Sequence, residues 1–285
     1  MTKKKIAWIT DSTVFLTEKL KANPDVFVVP LEIIFGNDAF EDGVDLDTET
    51  LYQRINSDKT VPKTSQPSSG KFAALFEKLK ENYDSAIAVH ISSKLSGTMS
   101  SCIAGAEMAG FPVEAVDSKS LSYAITVLIE KGIELAGDGL GVSDIATILR
   151  EEADNGQNYM LLGNLDQFYK GGRMTGTQYL LGSILKIKPI IRINTNGEFE
   201  LFEKVRSEKK AGARLVELFG EAHSKNHIEE VWVMHGNVPD KAKEMEAAIK
   251  SAFPRLKTFI GEISSTIAAH AGEGTLAIIW HNEPK

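Results

Sequence analysis

The chain has 285 residues, of which 42% are hydrophobic and 25% are charged, a balance typical of globular proteins and not of disordered or fibrous ones. Its 32 basic and 39 acidic residues give a formal net charge of -7, so the chain lacks the broad positive field that binding to nucleic acid requires. A length of this size favours two domains, since a domain usually holds ~100–200 residues.

The apolar segments are too short for a membrane span or a secretion signal. The first, Ile6–Ile9, follows three lysines and ends at polar Thr10, whereas a spanning helix needs ~20 apolar residues and a signal peptide needs a longer apolar core. We therefore expect a cytoplasmic protein without a membrane span. Cys102 is the only cysteine, which excludes an internal disulfide and a thiolate metal cluster within one chain, and favours a small buried side chain.

The N-terminal half alternates between predicted strands and predicted helices. Short apolar runs indicate the strands, and apolar residues at helical spacing indicate the helices. Alternation of this kind predicts a mostly parallel, Rossmann-like sheet with right-handed crossovers, whose ligands bind beyond the carboxyl ends of the strands. The predicted strands are 6–9, 27–35, 85–91 and 113–116, and the predicted helices begin near residues 47, 67, 97, 125 and 143.

The pattern changes after Gly156, where a hairpin is predicted. Segments 187–193 and 198–205 flank Thr195-Asn196-Gly197, which is typical of a two-residue turn between antiparallel strands. We therefore predict an N-terminal parallel α/β domain over residues 1–157 and a C-terminal α/β domain with a mixed or antiparallel sheet over residues 158–285. Its further elements are predicted helices 208–222 and 239–252, and strands 231–234, near 259, and 276–280.

Two hydroxyl-rich loops precede predicted helices of the first domain. One is TSQPSSG at residues 64–70, in which Pro67 is the expected first helical residue, and the other is SSKLSGT at residues 92–98. Free amides and the helix dipole favour an anion at such a position, but a serine side chain there also caps a helix. Two such loops in one parallel-sheet domain favour a binding site that faces both.

Two further positions carry groups suited to an anion or to catalysis. Arg173 follows two glycines; if buried, it would be best explained by a carboxylate or phosphate bound bidentately, and if exposed it would indicate little. His270 stands at the end of a short predicted helix, in HAGEG, where a histidine alone would more often be structural. A Ser96–His270 pair could form a nucleophile and its base, so a serine/histidine hydrolase or transferase stays open as an alternative function.

The remaining motifs do not define a metal or nucleotide site. The glycines of segment 137–141 follow a helix rather than a strand, so they fit a linker and not a dinucleotide-binding loop. His223 and His227 are four residues apart but lack the glutamate of an HExxH motif. The chain contains neither GxxxxGK[ST] nor GxSxG, and we expect no metal and no cofactor.

Six motifs, taken in order along the chain, resemble those of the DegV family. They are Thr10-Asp11-Ser12, Asp42-Gly43-Val44-Asp45, TSQPS at 64–68, SGT at 96–98, GGR at 171–173 and His270 within HAGEG. The resemblance covers nearly the whole chain, and TSQPS, SGT and the glycine-flanked histidine carry most of its specificity. It implies a two-domain fold with a long-chain fatty acid, such as palmitate, stearate or oleate, in a buried tunnel between the domains.

The resemblance also implies roles for individual residues. Thr64 and Ser96 would donate hydroxyl hydrogen bonds to the fatty-acid carboxylate. The supporting network would consist of Ser65, Gly97, Thr98, Arg173 and His270. Two positions depart from the family, because Lys63 stands where a second threonine is common and Glu273 where a proline is common. Their part in head-group binding stays open.

In several bacteria such proteins serve as the fatty-acid-binding subunit of fatty acid kinase, whose separate ATP-binding protein phosphorylates the carboxylate. The resemblance therefore implies a carrier without catalysis of its own. Arg206, with Lys209 and Lys210, could offer this partner a basic patch, although a solvated helix start explains the cluster better. A third function stays open, a sensor that holds the fatty acid only as a structural or regulatory ligand.

Overall fold

Strands and helices alternate along most of the chain. The computed structural model of the protein describes residues 5–58, 60–174 and 188–283. The strands within these residues are β1 Ile6–Asp11, β2 Val26–Val29, β3 Glu32–Phe35, β4 Asp38–Glu41, β5 Lys63–Ser65, β6 Ser85–His90, β7 Val113–Asp117, β8 Gly156–Leu161, β9 Lys188–Ile193, β10 Phe199–Val205, β11 Glu230–His235, β12 Lys257–Glu262 and β13 Leu276–His281. The helices are α1 Glu18–Lys21, α2 Thr48–Asp58, α3 Ser69–Leu79, α4 Thr98–Ala109, α5 Tyr123–Gly137, α6 Val142–Glu152, α7 Leu165–Lys170, α8 Glu208–Lys225, α9 Pro239–Ala252 and α10 Ser265–Ala271.

Four parallel strands in the order β2-β1-β6-β7 form the first sheet, which confirms the predicted Rossmann-like arrangement. Alternate side chains of a strand point to opposite faces. Ile9 therefore shares a core with Phe72 of α3 and the buried Cys102 of α4. Its neighbour Trp8 packs on the opposite face, with Ile125 of α5. A layer of helices thus covers each face of this sheet.

The segment predicted as one strand, residues 27–35, is two strands in different sheets. β2 pairs with β1, whereas β3 pairs with β4 and β5 in a small antiparallel sheet of order β4-β3-β5. The prediction was wrong because Pro30 lies between the two strands, and proline has no N–H to donate to a central ladder. The next residue, Leu31, instead donates its N–H to Ser12 Oγ at 3.1 Å.

The second half of the chain builds a mixed sheet of six strands in the order β10-β9-β8-β13-β11-β12. Its neighbours are antiparallel except β11 and β12, as predicted. The predicted hairpin is present between β9 and β10. The Asn194 N–H donates to Glu198 O and closes a loop of three residues, 195–197, which ends at Gly197 with φ 82°. A left-handed last residue is typical of a three-residue loop and not of the predicted two-residue turn. Residue 187 of the predicted strand lies outside the described residues.

Helices α8 and α9 cover one face of the six-stranded sheet. Leu215 of α8 and Ile249 of α9 are fully buried in a core that includes Tyr159 and Ile278 of the sheet. The opposite face turns toward the first sheet. The six-stranded sheet begins with β8 at Gly156, and the domain boundary between residues 157 and 158 stays a prediction.

No helix in the described ranges is long and apolar enough to cross a membrane. In the same ranges, no group of three or more histidine, cysteine, aspartate or glutamate side chains is arranged to hold a metal ion. Gly137 is the last residue of α5, and residues 138–141 connect α5 to α6, in agreement with the interpretation of this segment as a linker.

Candidate functional site

A cavity lies between the carboxyl edge of the four-stranded sheet and the open face of the six-stranded sheet. About 760 Å³ of space not filled by protein atoms lies within it, part of it open to solvent. Each parallel strand contributes the segment after its carboxyl end to the wall, at Thr13, Leu31, Ile91 and Leu121. The cavity therefore lies where the topology predicts a ligand.

The other wall comes from one face of the six-stranded sheet. Met160 on β8, Met234 on β11 and Ile279 on β13 line the cavity, while their neighbours Leu161 and Ile278 belong to the core beneath α8 and α9. This division follows from the alternation of side chains along a strand. Sequence analysis missed these lining residues, because both faces of the sheet are apolar and alternation alone does not tell which face borders a cavity.

One end of the cavity is polar, and Thr64 and His270 meet there. Thr64 lies on β5 and His270 in the last turn of α10, with 2.8 Å between Thr64 Oγ1 and His270 Nε2. Burial, together with the positive charge of Arg173, lowers the pKa of His270 to about 4. The imidazole is therefore neutral at pH 7. His270 Nδ1 is buried and has no hydrogen-bond partner in the described part of the chain.

Arg173 lies beside this pair and forms no ion pair with a carboxylate of the described residues. Its Nη1 donates to Gly171 O at 2.5 Å and its Nε approaches Leu95 O at 3.4 Å. Burial lowers the pKa of the guanidinium, which stays protonated nonetheless because arginine does not lose its proton in proteins. The remaining N–H groups are suited to an anion in the cavity that Arg173 lines.

Two glycines let the loops of the polar end approach one another. A Cβ at Gly171 would lie 2.3 Å from His270 Nδ1, and a Cβ at Gly97 would lie 2.9 Å from Gln66 Nε2. A side chain at either position would therefore displace its neighbour. The SGT loop and the TSQPS loop thus touch, and both line the cavity, which is the arrangement expected if they face one ligand.

The Ser96 hydroxyl is turned toward its own loop. Ser96 Oγ lies 2.9 Å from Thr98 Oγ1 and 3.4 Å from Thr98 N, so this serine helps to start α4. Ser96 also lines the cavity. The imidazole of His270 contacts Thr64 instead, and no hydrogen bond joins Ser96 to His270 within the described residues. The nucleophile–base pair considered from the sequence is therefore not formed.

The TSQPS loop leads into α3 two residues later than predicted. The helix begins at Ser69, and Ser68 Oγ accepts the Lys71 N–H at 3.3 Å. Pro67 lies before the helix rather than at its first residue, so that prediction was wrong, because Ser68 supplies the cap. Ser65 lines the cavity and donates to Gln66 O at 3.3 Å.

Gly97 and Thr98, which were expected in the supporting network, do not line the cavity, and Thr98 is fully buried. Lys63, Glu273 and Arg206 do not line it either. Lys63 is exposed. Glu273 Oε1 accepts a hydrogen bond from Asn237 Nδ2 at 2.6 Å, which holds the loop after α10. Arg206 is exposed at the end of β10, next to the start of α8.

Asn158 on β8 is a polar lining residue that sequence analysis missed. Its side chain is 2% exposed, and neither Oδ1 nor Nδ2 has a hydrogen-bond partner among the described residues. A buried polar group left unpaired costs ~1–3 kcal/mol. No motif marks this position, because it lies inside a strand that the sequence did not predict.

A buried ion pair supports the wall beside the first sheet. Asp11 and His90 are both fully buried, with 3.0 Å between Asp11 Oδ2 and His90 Nδ1. Burial alone would lower the pKa of His90, but the Asp11 carboxylate and the nearby Cys102 raise it to about 9, so the pair is charged at pH 7. The same carboxylate accepts the N–H groups of Thr13 and Ile91, two lining residues. Asp11 thus positions two loops of the cavity.

The two larger sheets and the space between them define an α/β protein with a cavity that is apolar along most of its wall. The chain belongs to the DegV family, since the family described as "uncharacterised protein, DegV family" matches residues 5–283. A DegV domain-containing protein of Listeria innocua is 34% identical over 97% of this chain and 98% of its own length. The family predicted from the sequence is therefore confirmed.

Two solved structures are similar over nearly their full length. DegV of Bacillus subtilis, described as a fatty acid binding protein, has a TM-score of 0.88 at 30% identity and covers 98% of this chain and 100% of that one. A fatty acid binding DegV family protein of Streptococcus agalactiae has a TM-score of 0.91 at 27% identity and covers 99% of both chains. The predicted fold class is thereby confirmed.

Proposed function

We propose that the protein binds one long-chain fatty acid in this cavity, with the carboxylate near Thr64, Ser96 and Arg173. The observation that carries the proposal is the partly buried Arg173, which lines the polar end of the cavity without a carboxylate partner in the described residues. A charge removed from water is costly unless an opposite charge pairs with it. A bound carboxylate would accept bidentate hydrogen bonds from Arg173 and one from the Thr64 hydroxyl.

The rest of the cavity suits an acyl chain. Each buried CH₂ contributes about 0.8 kcal/mol, so the chain would supply most of the affinity and the polar end its orientation. The solved relatives described as fatty acid binding support the same ligand class here. Palmitate, stearate and oleate are the expected ligands, and no cofactor is part of the proposal. The ligand would lie between the predicted domains, residues 1–157 and 158–285, and the cytoplasmic location stays a prediction.

The proposed protein is a carrier rather than an enzyme. A hydrolase or transferase needs a nucleophile within reach of a base, but Ser96 contacts Thr98 and not His270. The low pKa of His270, about 4, also makes it a weak general base, because efficient bases titrate near the working pH. Both observations favour binding over turnover.

We also propose that the carboxylate end is presented to a separate fatty acid kinase. Ser65 and Ser96 are partly exposed, which would give a partner access to this end. β8 and β10 are both antiparallel to β9, so they run in the same direction. After β8, Asn164 N–H donates to Ala271 O beside His270, so this direction leads toward the polar end.

Arg206 follows β10 and therefore lies at the same edge of the sheet. With the exposed Lys209 and Lys210 it would offer a basic patch to the ATP-binding protein. A sensor would bind the fatty acid in the same way as a carrier. The one difference is that such a partner would not phosphorylate the bound fatty acid.

Denaturing mass spectrometry of an organic extract from the purified protein tests the ligand. We expect about one palmitic, stearic or oleic acid per chain, and less in Arg173→Met, because the carboxylate would lose its cation. The matched control is Arg150→Met, at an exposed arginine of α6. An extract without lipid, from protein that also fails to take up added palmitate, would contradict the proposal and favour the hydrolase or transferase alternative.

A further inference from the structure

The cavity holds a second polar group that a plain fatty acid would not use. Asn158 is 2% exposed, and both its amide oxygen and its amide nitrogen lack a hydrogen-bond partner among the described residues. Its cross-strand neighbour is Ile279, and the next lining residue of its own strand is Met160. On the sheet, the amide is therefore flanked by apolar lining residues.

The strand register places Asn158 far from the polar end. Thr275, just before β13, donates its hydroxyl to Ala271 O next to His270, so the start of β13 marks the polar end. Ile279, which pairs with Asn158, lies four residues further along the strand, a rise of ~13 Å at ~3.3 Å per residue. A fatty acid whose carboxylate is held near His270 would reach Asn158 only with a remote part of its chain.

We propose that Asn158 recognises a hydroxyl group carried by the acyl chain, so that the preferred ligand is a hydroxylated long-chain fatty acid. This inference rests on the proposed function. The amide offers an acceptor oxygen and a donor NH₂, and a hydroxyl both donates and accepts, so a single hydroxyl satisfies both atoms. A keto group would only accept, and a saturated chain would leave both atoms unpaired. Sites built to bind a hydroxyl discriminate against analogues that lack it, because their buried polar groups then stay unpaired.

Ser122 adds a second polar group to the same region. It lines the cavity, is 2% exposed, and has φ 59° and ψ -132°, a backbone conformation that residues other than glycine rarely adopt. Such conformations concentrate at binding sites. Ser122 precedes α5, and the start of α5 packs on the start of β8, where a Cβ at Gly156 would lie 3.8 Å from Ala124 Cβ. Ser122 therefore lies near the start of β8, and both Ser122 and Asn158 line the cavity.

A buried water molecule is the competing occupant, because polar pockets of sufficient size hold one. If water satisfied Asn158 whatever the ligand, a hydroxyl on the chain would gain nothing. Ligand selectivity separates the two cases, because only a recognised hydroxyl makes the affinity depend on the Asn158 amide.

The test compares stearic acid with a series of hydroxystearic acids that carry the hydroxyl at successive mid-chain carbons. Their affinities for the delipidated full chain are measured by displacement of a fluorescent fatty acid, for wild type, Asn158→Leu and the control Asn82→Leu, at an exposed asparagine outside the cavity. We expect at least one hydroxystearic acid to bind the wild type more tightly than stearic acid does. Asn158→Leu should reduce this preference on the order of tenfold, and Asn82→Leu should leave it unchanged.

A wild type that binds stearic acid more tightly than every hydroxystearic acid overturns the inference and leaves the proposed function intact. The same conclusion follows if the preference is unchanged in Asn158→Leu. Failure of the wild type to bind any of these acids would remove the proposed function as well. The wild-type comparison does not require the variant, so the inference stays testable if Asn158→Leu does not fold.

Discussion

Thr64 and His270 are 206 residues apart in the chain, and Thr64 Oγ1 lies 2.8 Å from His270 Nε2. Thr64 belongs to the small antiparallel sheet of the first half, and His270 to the helix before the last strand. The polar end of the cavity therefore exists only when the two halves of the chain are packed together. A ligand held there should stabilise both halves, since binding to the native state alone shifts the unfolding equilibrium.

Thr64→Val should weaken fatty acid binding without unfolding the protein. Valine keeps the shape of threonine but lacks the hydroxyl, so a bound carboxylate would lose a donor. A hydrogen bond to a charged group contributes ~1.5–3 kcal/mol, which corresponds to a rise of roughly ten- to a hundredfold in the Kd of palmitate. Isothermal titration calorimetry of the delipidated protein measures this change.

Thr147→Val is the matched control, because Thr147 is exposed on α6 and its hydroxyl donates to Ser143 O. Its palmitate affinity should equal that of the wild type. Equal affinities for Thr64→Val and the wild type would mean that the carboxylate is not bound at Thr64.

Gly171→Ala should disturb the polar end more than the fold as a whole. The added Cβ would lie 2.3 Å from His270 Nδ1, so the imidazole must move away from Thr64. Gly212→Ala is the matched control. Gly212 lies in helix α8, where alanine is favoured over glycine, and a Cβ there would meet only Met245 Cε, at 3.8 Å. We expect lower palmitate affinity for Gly171→Ala alone, measured by calorimetry. Similar affinities for both variants would contradict the packing of His270 on Gly171.

The Asp11–His90 pair should make the free energy of unfolding fall at alkaline pH. The pKa of His90 is about 9 in the native state and ~6.5 in an unfolded chain. Between these two pKa values, the native state therefore binds one more proton than the unfolded state does. The stabilisation from the pair is complete below pH ~6.5 and is lost as the pH rises through about 9. The slope is at most about 1.4 kcal/mol per pH unit.

Urea denaturation at several pH values between these limits measures the slope. His90→Gln should remove it, whatever that variant does to the stability at neutral pH. His227→Gln, at an exposed histidine, should keep it. A slope that persists in His90→Gln would show that another group titrates there.

The triple variant Arg206→Ala/Lys209→Ala/Lys210→Ala should lower the rate at which a fatty acid kinase ATP-binding protein phosphorylates the bound palmitate. The physical reason is the loss of three exposed positive charges that would steer and hold the partner. Palmitate retention should be unchanged, because none of the three residues lines the cavity. A full rate of phosphorylation would remove the proposed partner surface, and palmitate retained by the wild type without any phosphorylation would favour a sensor.

The sequence predicted those features of the fold that are determined by short stretches of residues. The alternation of strands and helices predicted the parallel sheet, and the hydroxyl loops at residues 64–70 and 92–98 were expected to face one ligand; both line the cavity. The single strand predicted over 27–35 failed because one proline divides it. The start of α3 was misplaced because two neighbouring residues, Pro67 and Ser68, are both suited to a helix start.

The cavity wall could not be predicted from the sequence, because it depends on which strands meet in space. Strand β8 was not predicted, so Asn158 and Met160 could not be assigned to a face of the six-stranded sheet. The hydrogen-bond partner of His270 could not be predicted either, since nothing in the local sequence indicates that His270 contacts Thr64 rather than Ser96. Contacts between distant segments depend on how the strands and helices pack. No short stretch of the sequence encodes these contacts, and the order of the strands in the sheet cannot be read from it.

Alternate side chains of strand β13 face the cavity and the core. Ala277 and Ile279 border the cavity, while Ile278 and Trp280 lie in the core beneath α8 and α9. The shape of the cavity and the stability of the fold therefore depend on alternate residues of one short segment. Substitutions at every second residue of this strand would reshape the cavity wall, while the residues between them would leave the core beneath α8 and α9 intact.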